Sequence, residues 1–184
     1  IQHEDIKNIL HEIGEKYLDI VMCETLDKSY ISKDCEEVHN VFWIEDLSNV
    51  IFGDLQNTLD VDPMTFLIKV VSEDTFPHIE SIVSKYPYLR VRFWNGFLRG
   101  YCEIYRCDTS KANAFKHIAD YYHIPYSHII AFGDAGNDIE MITSFEQGYA
   151  MKNAEQGLLN VASKITEFDN DNQGVLRKLK EIIE

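Results

Sequence analysis

Apolar residues recur at helical intervals near the start of the chain, where Ile6, Ile9, Leu10, Ile13 and Tyr17 follow the i, i+3, i+4, i+7 spacing of an amphipathic helix over 4–17. An acid-rich stretch follows, with two apolar fragments at 41–44 and 50–52 that read as short strands. Residues 64–71 are rich in strand formers, and 75–86 return to helical spacing with Phe76, Ile79, Ile82, Val83 and Tyr86. The run 89–94 alternates, and Asn95-Gly96 offers the two left-handed positions of a tight hairpin turn into a return strand over 97–105. This part predicts a small antiparallel sheet with helices on one side, an α+β layout.

After Cys107 the rhythm changes to helix and buried strand in alternation. Helix 111–122 carries Phe115, Ile118, Ala119 and Tyr122 on one face, with Asp108, Thr109 or Ser110 to cap it. The continuous apolar run 128–132 suits a parallel strand covered on both faces. Ile139, Ile142 and Phe145 mark a helix, 149–151 a strand, 154–162 a helix, 164–168 a strand and 175–183 a closing helix. Such alternation predicts a parallel α/β sheet, unlike the α+β layout of the first hundred residues.

Composition sharpens this picture. The 184 residues are 45% hydrophobic and 12% aromatic, which excludes intrinsic disorder. A formal net charge of −14 disfavours a nucleic-acid partner, because neutralising phosphates requires a basic surface. No run of uncharged apolar residues is long enough to span a bilayer, and the opening Ile1-Gln2-His3-Glu4-Asp5 lacks a basic-then-apolar signal, so no membrane partner and a cytoplasmic address are expected. The first residue is Ile rather than Met, which leaves room for a longer protein. Cys23, Cys35, Cys102 and Cys107 have no Cys-x-x-Cys spacing and read as reduced, inert thiols.

Chemistry concentrates in 129–141, Ile-Ile-Ala-Phe-Gly-Asp-Ala-Gly-Asn-Asp-Ile-Glu-Met. A buried strand ends at Gly133, and Asp134, Asn137 and Asp138 follow on a glycine-containing loop that leads into a helix, where an open α/β sheet places its ligands. Two aspartates so close repel unless a positive group stands by, and a hard, oxygen-preferring cation such as magnesium would serve. Backbone N–H groups at the helix start would favour a phosphate. The same residues are also ordinary turn and cap chemistry.

This segment resembles the fourth motif of the haloacid dehalogenase (HAD) superfamily, in the Gly-Asp-x-x-Asn-Asp-x-x-Met form of its Cof-type phosphatases. Thr109-Ser110-Lys111 resembles the third motif, with Ala112 where the family often has Gly. Tyr149-Ala150-Met151-Lys152-Asn153-Ala154 resembles the strand ending in Ala-Met-x-Asn-Ala, and Asp171-Asn172-Gln173-Gly174-Val175 stands where the family carries its closing Asp-Gly-Val turn. The resemblance implies a Rossmann-like HAD core, with residues 1–102 as an α+β cap that selects substrate and 103–184 as the C-terminal part of the core. It implies a magnesium-dependent phosphatase of small phosphorylated metabolites, sugar phosphates above all, working through an aspartyl-phosphate. Asp134 would be a Mg2+ ligand with Asp138 supporting or sharing it, Asn137 would contact the substrate phosphate, and Lys111 would neutralise the nucleophile and the transferring group. Without the resemblance, Lys111 would be a solvated residue of a first helical turn.

The family's nucleophile lies in an Asp-x-Asp-Gly-Thr motif after a buried strand, and its second motif is a Ser or Thr after the next. The one superficial match, Asp60-Val61-Asp62-Pro63-Met64-Thr65, follows no apolar strand and lacks the glycine, so it reads as a turn. A HAD phosphatase lacking the N-terminal segment with its nucleophile, inactive alone, is therefore expected. A phosphomutase of the superfamily and a non-catalytic module that binds a phospho-ligand or partner are the alternatives. Arg90, Arg92, Trp94 and Arg99 around the expected hairpin could face an anionic or sugar substrate or form one exposed sheet face. Asp169–Gly174 begins like a calcium loop, but Lys180 stands where the loop needs Glu.

Overall fold

Helix α1 (His3–Ile13) buries Ile6, Ile9, Leu10 and Ile13, the four positions its sequence spacing singles out. At about 2 kcal/mol for each buried aliphatic side chain, this stripe is what holds the helix to its sheet. The helix ends at Ile13 rather than at Tyr17, and Glu15–Tyr17 form a separate 3-10 turn. The computed structural model of the chain describes residues 1–42, 46–94 and 96–183. It divides into two compact units, Ile1–Cys107 and Asp108–Glu184.

In the first unit the elements after α1 are β1 (Leu18–Glu24), β2 (Ser29–Ile31), α2 (Glu36–Phe42), β3 (Val50–Phe52), α3 (Leu55–Thr58), β4 (Thr65–Val70), α4 (Phe76–Val83), β5 (Leu89–Phe93) and β6 (Tyr101–Arg106). The strands form one sheet in the order β3-β2-β1-β4-β6-β5. All neighbours are antiparallel except β2 and β3. Strand β6 spans 101–106 as a continuous partner of β4 and β5, which keeps residues up to Cys107 with this unit.

Four features differ from expectation. The pattern of hydrophobic and polar positions does not single out β1, yet it is an interior strand of the sheet. Ile20, Val21, Met22 and Cys23 are all buried, because Val21 and Cys23 enter the core with α1 and α4, while Ile20 and Met22 face Val38 of α2. Helices therefore cover both faces, and a strand buried on both sides shows no alternation. Val41 and Phe42 belong to helix α2 rather than to a strand, and Trp43 and Ile44, named with them, lie outside the described residues. The return strand starts at Tyr101: Trp94 N donates to Tyr101 O at 2.9 Å, and a 3-10 turn at Gly96–Leu98 fills the connection. Asn95 of the expected tight turn is also outside the described residues.

The arginines near this connection are engaged. Arg92 pairs with Glu103 across β5 and β6 at 2.6 Å, Arg99 pairs with Glu73 at 2.8 Å, and Arg90 donates to the carbonyls of Pro87 and Leu89. Asp62 accepts from the backbone N–H of His3, and Asp60 from the hydroxyl of Tyr30, as turn residues do.

The second unit holds α5 (Lys111–Tyr121), β7 (Ile130–Gly133), α6 (Ile139–Ser144), β8 (Gln147–Ala150), α7 (Gln156–Leu159) and α8 (Gly174–Ile183). Strands β7 and β8 are parallel, from Ile130 opposite Gln147 to Gly133 opposite Ala150, with α6 as the crossover. The mixed α/β fold thus pairs a parallel core sheet with a separate, largely antiparallel one. Segment 164–168 makes only a single bridge, Ile165 with Ala150. The core is built of small and flexible side chains, among them Ala112, Ala119, Ala131, Met141, Ala150 and Met151. Phe115, Ile118 and Tyr122, expected to be the buried face of α5, are exposed, and Ala112 and Ala119 are its buried positions. Among the described residues no helix is long and apolar enough to cross a membrane.

Candidate active site

At the carboxyl end of β7 the chain turns through 134–138 into α6, and Asp138 folds back beneath the turn. Its side chain is 4% exposed. Oδ2 accepts from the backbone N–H of Asp134 at 2.9 Å and of Ala135 at 3.2 Å, and Oδ1 meets the Lys111 ammonium at 2.5 Å. Burial alone would push this carboxyl up; the hydrogen bonds from Lys111 and the two amides outweigh it and hold Asp138 below the usual carboxylate range. The arrangement requires Gly133, since a Cβ there would lie 2.4 Å from the Asp138 Cβ.

Lys111 reaches this point from the first residue of α5. Ser110 caps that helix, its hydroxyl accepting from Asn113 N at 3.1 Å. A cation in a first helical turn opposes the helix dipole, and Asp138 supplies the compensating charge. Asp134 is exposed, and among the described residues its carboxylate makes no hydrogen bond or ion pair. Its backbone is fixed on both sides: Asp134 O accepts from Glu155 N and Gly133 O from Met151 N, each at 2.8 Å.

Lys111, Asp134, Asp138 and Asn170 line one open cleft of about 510 Å³, floored by Phe132 and Met151. The structure therefore brings Lys111 together with Asp134 and Asp138, which lie 23 and 27 residues further along the sequence. Asn137 is exposed on the same turn but is not part of the cleft lining. In the loop before the helix start, the backbone amides of Asp134 and Ala135 are engaged internally by Asp138 and that of Gly136 by Glu155 Oε2 at 2.9 Å. Glu155 had no local signal in the sequence, whereas Asn170 fell within the calcium-loop-like run 169–174 and beside the closing Asp-Gly-Val turn without being singled out.

Lys111 is balanced by Asp138, so Asp134 leaves the cleft with one uncompensated negative charge. A hard divalent cation fits that donor, because carboxylate oxygen is its preferred ligand. Among the described residues there is no group of three or more His, Cys, Asp and Glu that could hold a metal. This chain therefore offers one free carboxylate and, beside it, a second that is already committed to Lys111 and two amides.

A family model for haloacid dehalogenase-like hydrolases matches residues 1–179. The chain belongs to the haloacid dehalogenase-like hydrolase family, as its motifs suggest. It is similar to the 5-amino-6-(5-phospho-D-ribitylamino)uracil phosphatase YitU of Bacillus subtilis (strain 168), with 33% identity over 180 residues, 96% of this chain and 65% of that protein's length. The kanosamine-6-phosphate phosphatase of the same organism is 33% identical over 75 residues, 41% of this chain and 26% of that one. Among solved structures, a haloacid dehalogenase-like hydrolase from Bacteroides thetaiotaomicron shares the fold, with a TM-score of 0.78 at 19% identity over 100% of this chain and 68% of the other. These 184 residues thus span 65% of the length of the YitU phosphatase.

Proposed function

We propose that the protein to which these residues belong is a divalent-metal-dependent hydrolase of small phosphorylated metabolites, sugar phosphates or related phosphoribityl compounds, located in the cytoplasm. One observation carries the reading: an ammonium, a free carboxylate and a buried, depressed carboxylate meet in one cleft at the carboxyl end of a parallel strand. The phosphatase relatives, similar over 96% of the chain in one case, support the class of reaction.

Asp134 would hold the metal, with Asp138 supporting the loop and sharing the ion's field. Bound magnesium would offset charge on the phosphoryl oxygens. Lys111 neutralises the transferring group, work that phosphoryl transfer needs more than covalent help. Asn137, exposed on the loop, would donate to the phosphate. The nucleophile would be an aspartate outside these 184 residues. It would take the phosphoryl group as the ester P–O bond breaks and the alcohol leaves with a proton, and water would then release phosphate and restore the carboxylate. The unit 1–107 would act as the cap that selects substrate.

The test is phosphate release by the protein expressed from its complete reading frame, with magnesium or with chelator. The panel holds sugar phosphates, kanosamine 6-phosphate and 5-amino-6-(5-phospho-D-ribitylamino)uracil. Release that needs magnesium and disappears in Asp134→Ala, while Asp60→Ala keeps it, is the expected result. Equal release in chelator would refute the metal dependence, and an isomerised sugar phosphate without release would refute the hydrolase reading.

A further inference from the structure

The amide group that lines the cleft is Asn170, not Asn137, and its orientation is set by a second asparagine. Asn153 Nδ2 donates to Asn170 Oδ1 at 2.6 Å, while Asn153 Oδ1 accepts from the backbone N–H of Asn170 at 3.3 Å. With both ends of Asn153 engaged, the oxygen of Asn170 is turned toward Asn153. Asn170 lines the cleft, and its Nδ2, a two-proton donor, is left without a hydrogen-bond partner among the described residues.

The backbone under Asn170 is held firmly. Thr166, 2% exposed, accepts from Lys152 N at 3.0 Å and donates to Phe168 O at 2.7 Å. Asp169 Oδ1 accepts from the backbone and side-chain N–H groups of Asn172 at 2.9 and 2.7 Å, and Gly174 N donates to Asp169 O at 2.8 Å. A donor fixed in this way loses little entropy when an anion arrives. Lys111 is the cation of the same cleft, and the loop amides that could have served an anion are engaged by Asp138 and Glu155.

We propose that Asn170 is a phosphate-contacting residue of the cleft, donating through Nδ2 to a phosphoryl oxygen, and that Asn153 is the positioning residue that keeps this donor facing the ligand. The inference rests on the phosphatase reading above and adds a residue that reading does not use.

The experiment titrates inorganic phosphate by calorimetry, with magnesium present, into the complete protein and its variants, each first checked for an unchanged thermal midpoint. Asn170→Ala is expected to raise the dissociation constant about tenfold, which is about 1.4 kcal/mol. Asn170→Asp, the same shape with a carboxylate, should raise it about a hundredfold. Asn153→Asp keeps the acceptor for the Asn170 N–H but loses the donor that fixes the amide, so a smaller loss of about threefold is expected, with Asn153→Ser behaving alike. Lys111→Gln separates the two readings, because its amide can still donate to Asp138. If Lys111→Gln weakens phosphate while both Asn170 variants bind as the parent does, this inference is overturned and the phosphatase reading stands. If Lys111→Gln leaves binding unchanged as well, both are overturned.

Discussion

Replacing Asp138 by Asn tests the electrostatic logic of the cleft with almost no change of shape. The carboxylate meets three donors, Lys111 at 2.5 Å and the amides of residues 134 and 135 at 2.9 and 3.2 Å. An amide has only one oxygen, so either orientation sets an NH2 against a donor. Turning the oxygen toward the two backbone amides is the cheaper choice and leaves the NH2 against Lys111. The lost charge-assisted bond is worth about 1.5–3 kcal/mol. Lys111 is 49% exposed and can turn its ammonium to water, which brings that figure to about 1–2 kcal/mol. Weakening of the two amide bonds from ionic to neutral acceptor adds about 1 kcal/mol, and the easier burial of a neutral group returns about as much. A net loss of about 1–2 kcal/mol follows.

Neither tryptophan, Trp43 or Trp94, falls within the sequence range 108–184 of the second unit, so fluorescence is not the assay for this event. Hydrogen exchange of peptides covering 130–158, in chelator to exclude metal effects, is the suitable assay. Exchange there should quicken about five- to thirtyfold while the tryptophan transition stays in place. In a double-mutant cycle, Asp138→Asn and Lys111→Met should couple by about 1 kcal/mol. Additivity within about 0.3 kcal/mol, or exchange equal to the parent's, would refute the pairing as a source of stability.

Gly148→Ala should destabilise the second unit by about 3 kcal/mol or more, because the new Cβ would sit 1.9 Å from the backbone oxygen of Ile142, whereas Gly136→Ala, with Glu155 Oε2 at 3.5 Å as its nearest neighbour, should be mild; denaturation followed by circular dichroism distinguishes them. Burial would raise the Asp19 carboxyl, but hydrogen bonds from Lys33 and Lys69 bring it below its ordinary value. Its contribution is therefore complete above about pH 4 and is lost as pH falls through the lowered value. The advantage of the parent over Asp19→Asn, measured by urea denaturation, should be present at pH 7 and shrink as the pH is lowered below the ordinary carboxylate range. Cys107 is exposed and should react first with an aromatic disulfide reagent. Buried Cys102, its thiol pushed up to about 12, and Cys23, raised further still, should react only on unfolding.

Local signals in the sequence settled a good part of this protein. The spacing of Ile6, Ile9, Leu10 and Ile13 determines α1, the cap at Ser110 starts α5, and the run into Gly133 followed by Asp134 and Asp138 marks both a strand end and a polar loop. These depend on neighbours within one or two turns, which a linear pattern records. The haloacid dehalogenase motifs also identified the family, because they bundle several such local demands at fixed spacing.

Tertiary structure decided the rest. Strand β1 was hidden because burial on both faces erases alternation, and Val41 and Phe42 became helical because α2 covers the second face of the sheet. Segment 164–168 carries strand formers, yet what it became was decided by a single bridge to β8. Whether Asp138 serves as a free ligand or as an internal counter-ion depends on Lys111, 27 residues away. Asn170 lines the cleft on a segment that its bonds to Asn153 tie to a residue 17 positions away. Charge balance, donor orientation and two-sided burial are properties of groups brought close by the whole fold, and no local stretch of chain encodes them alone.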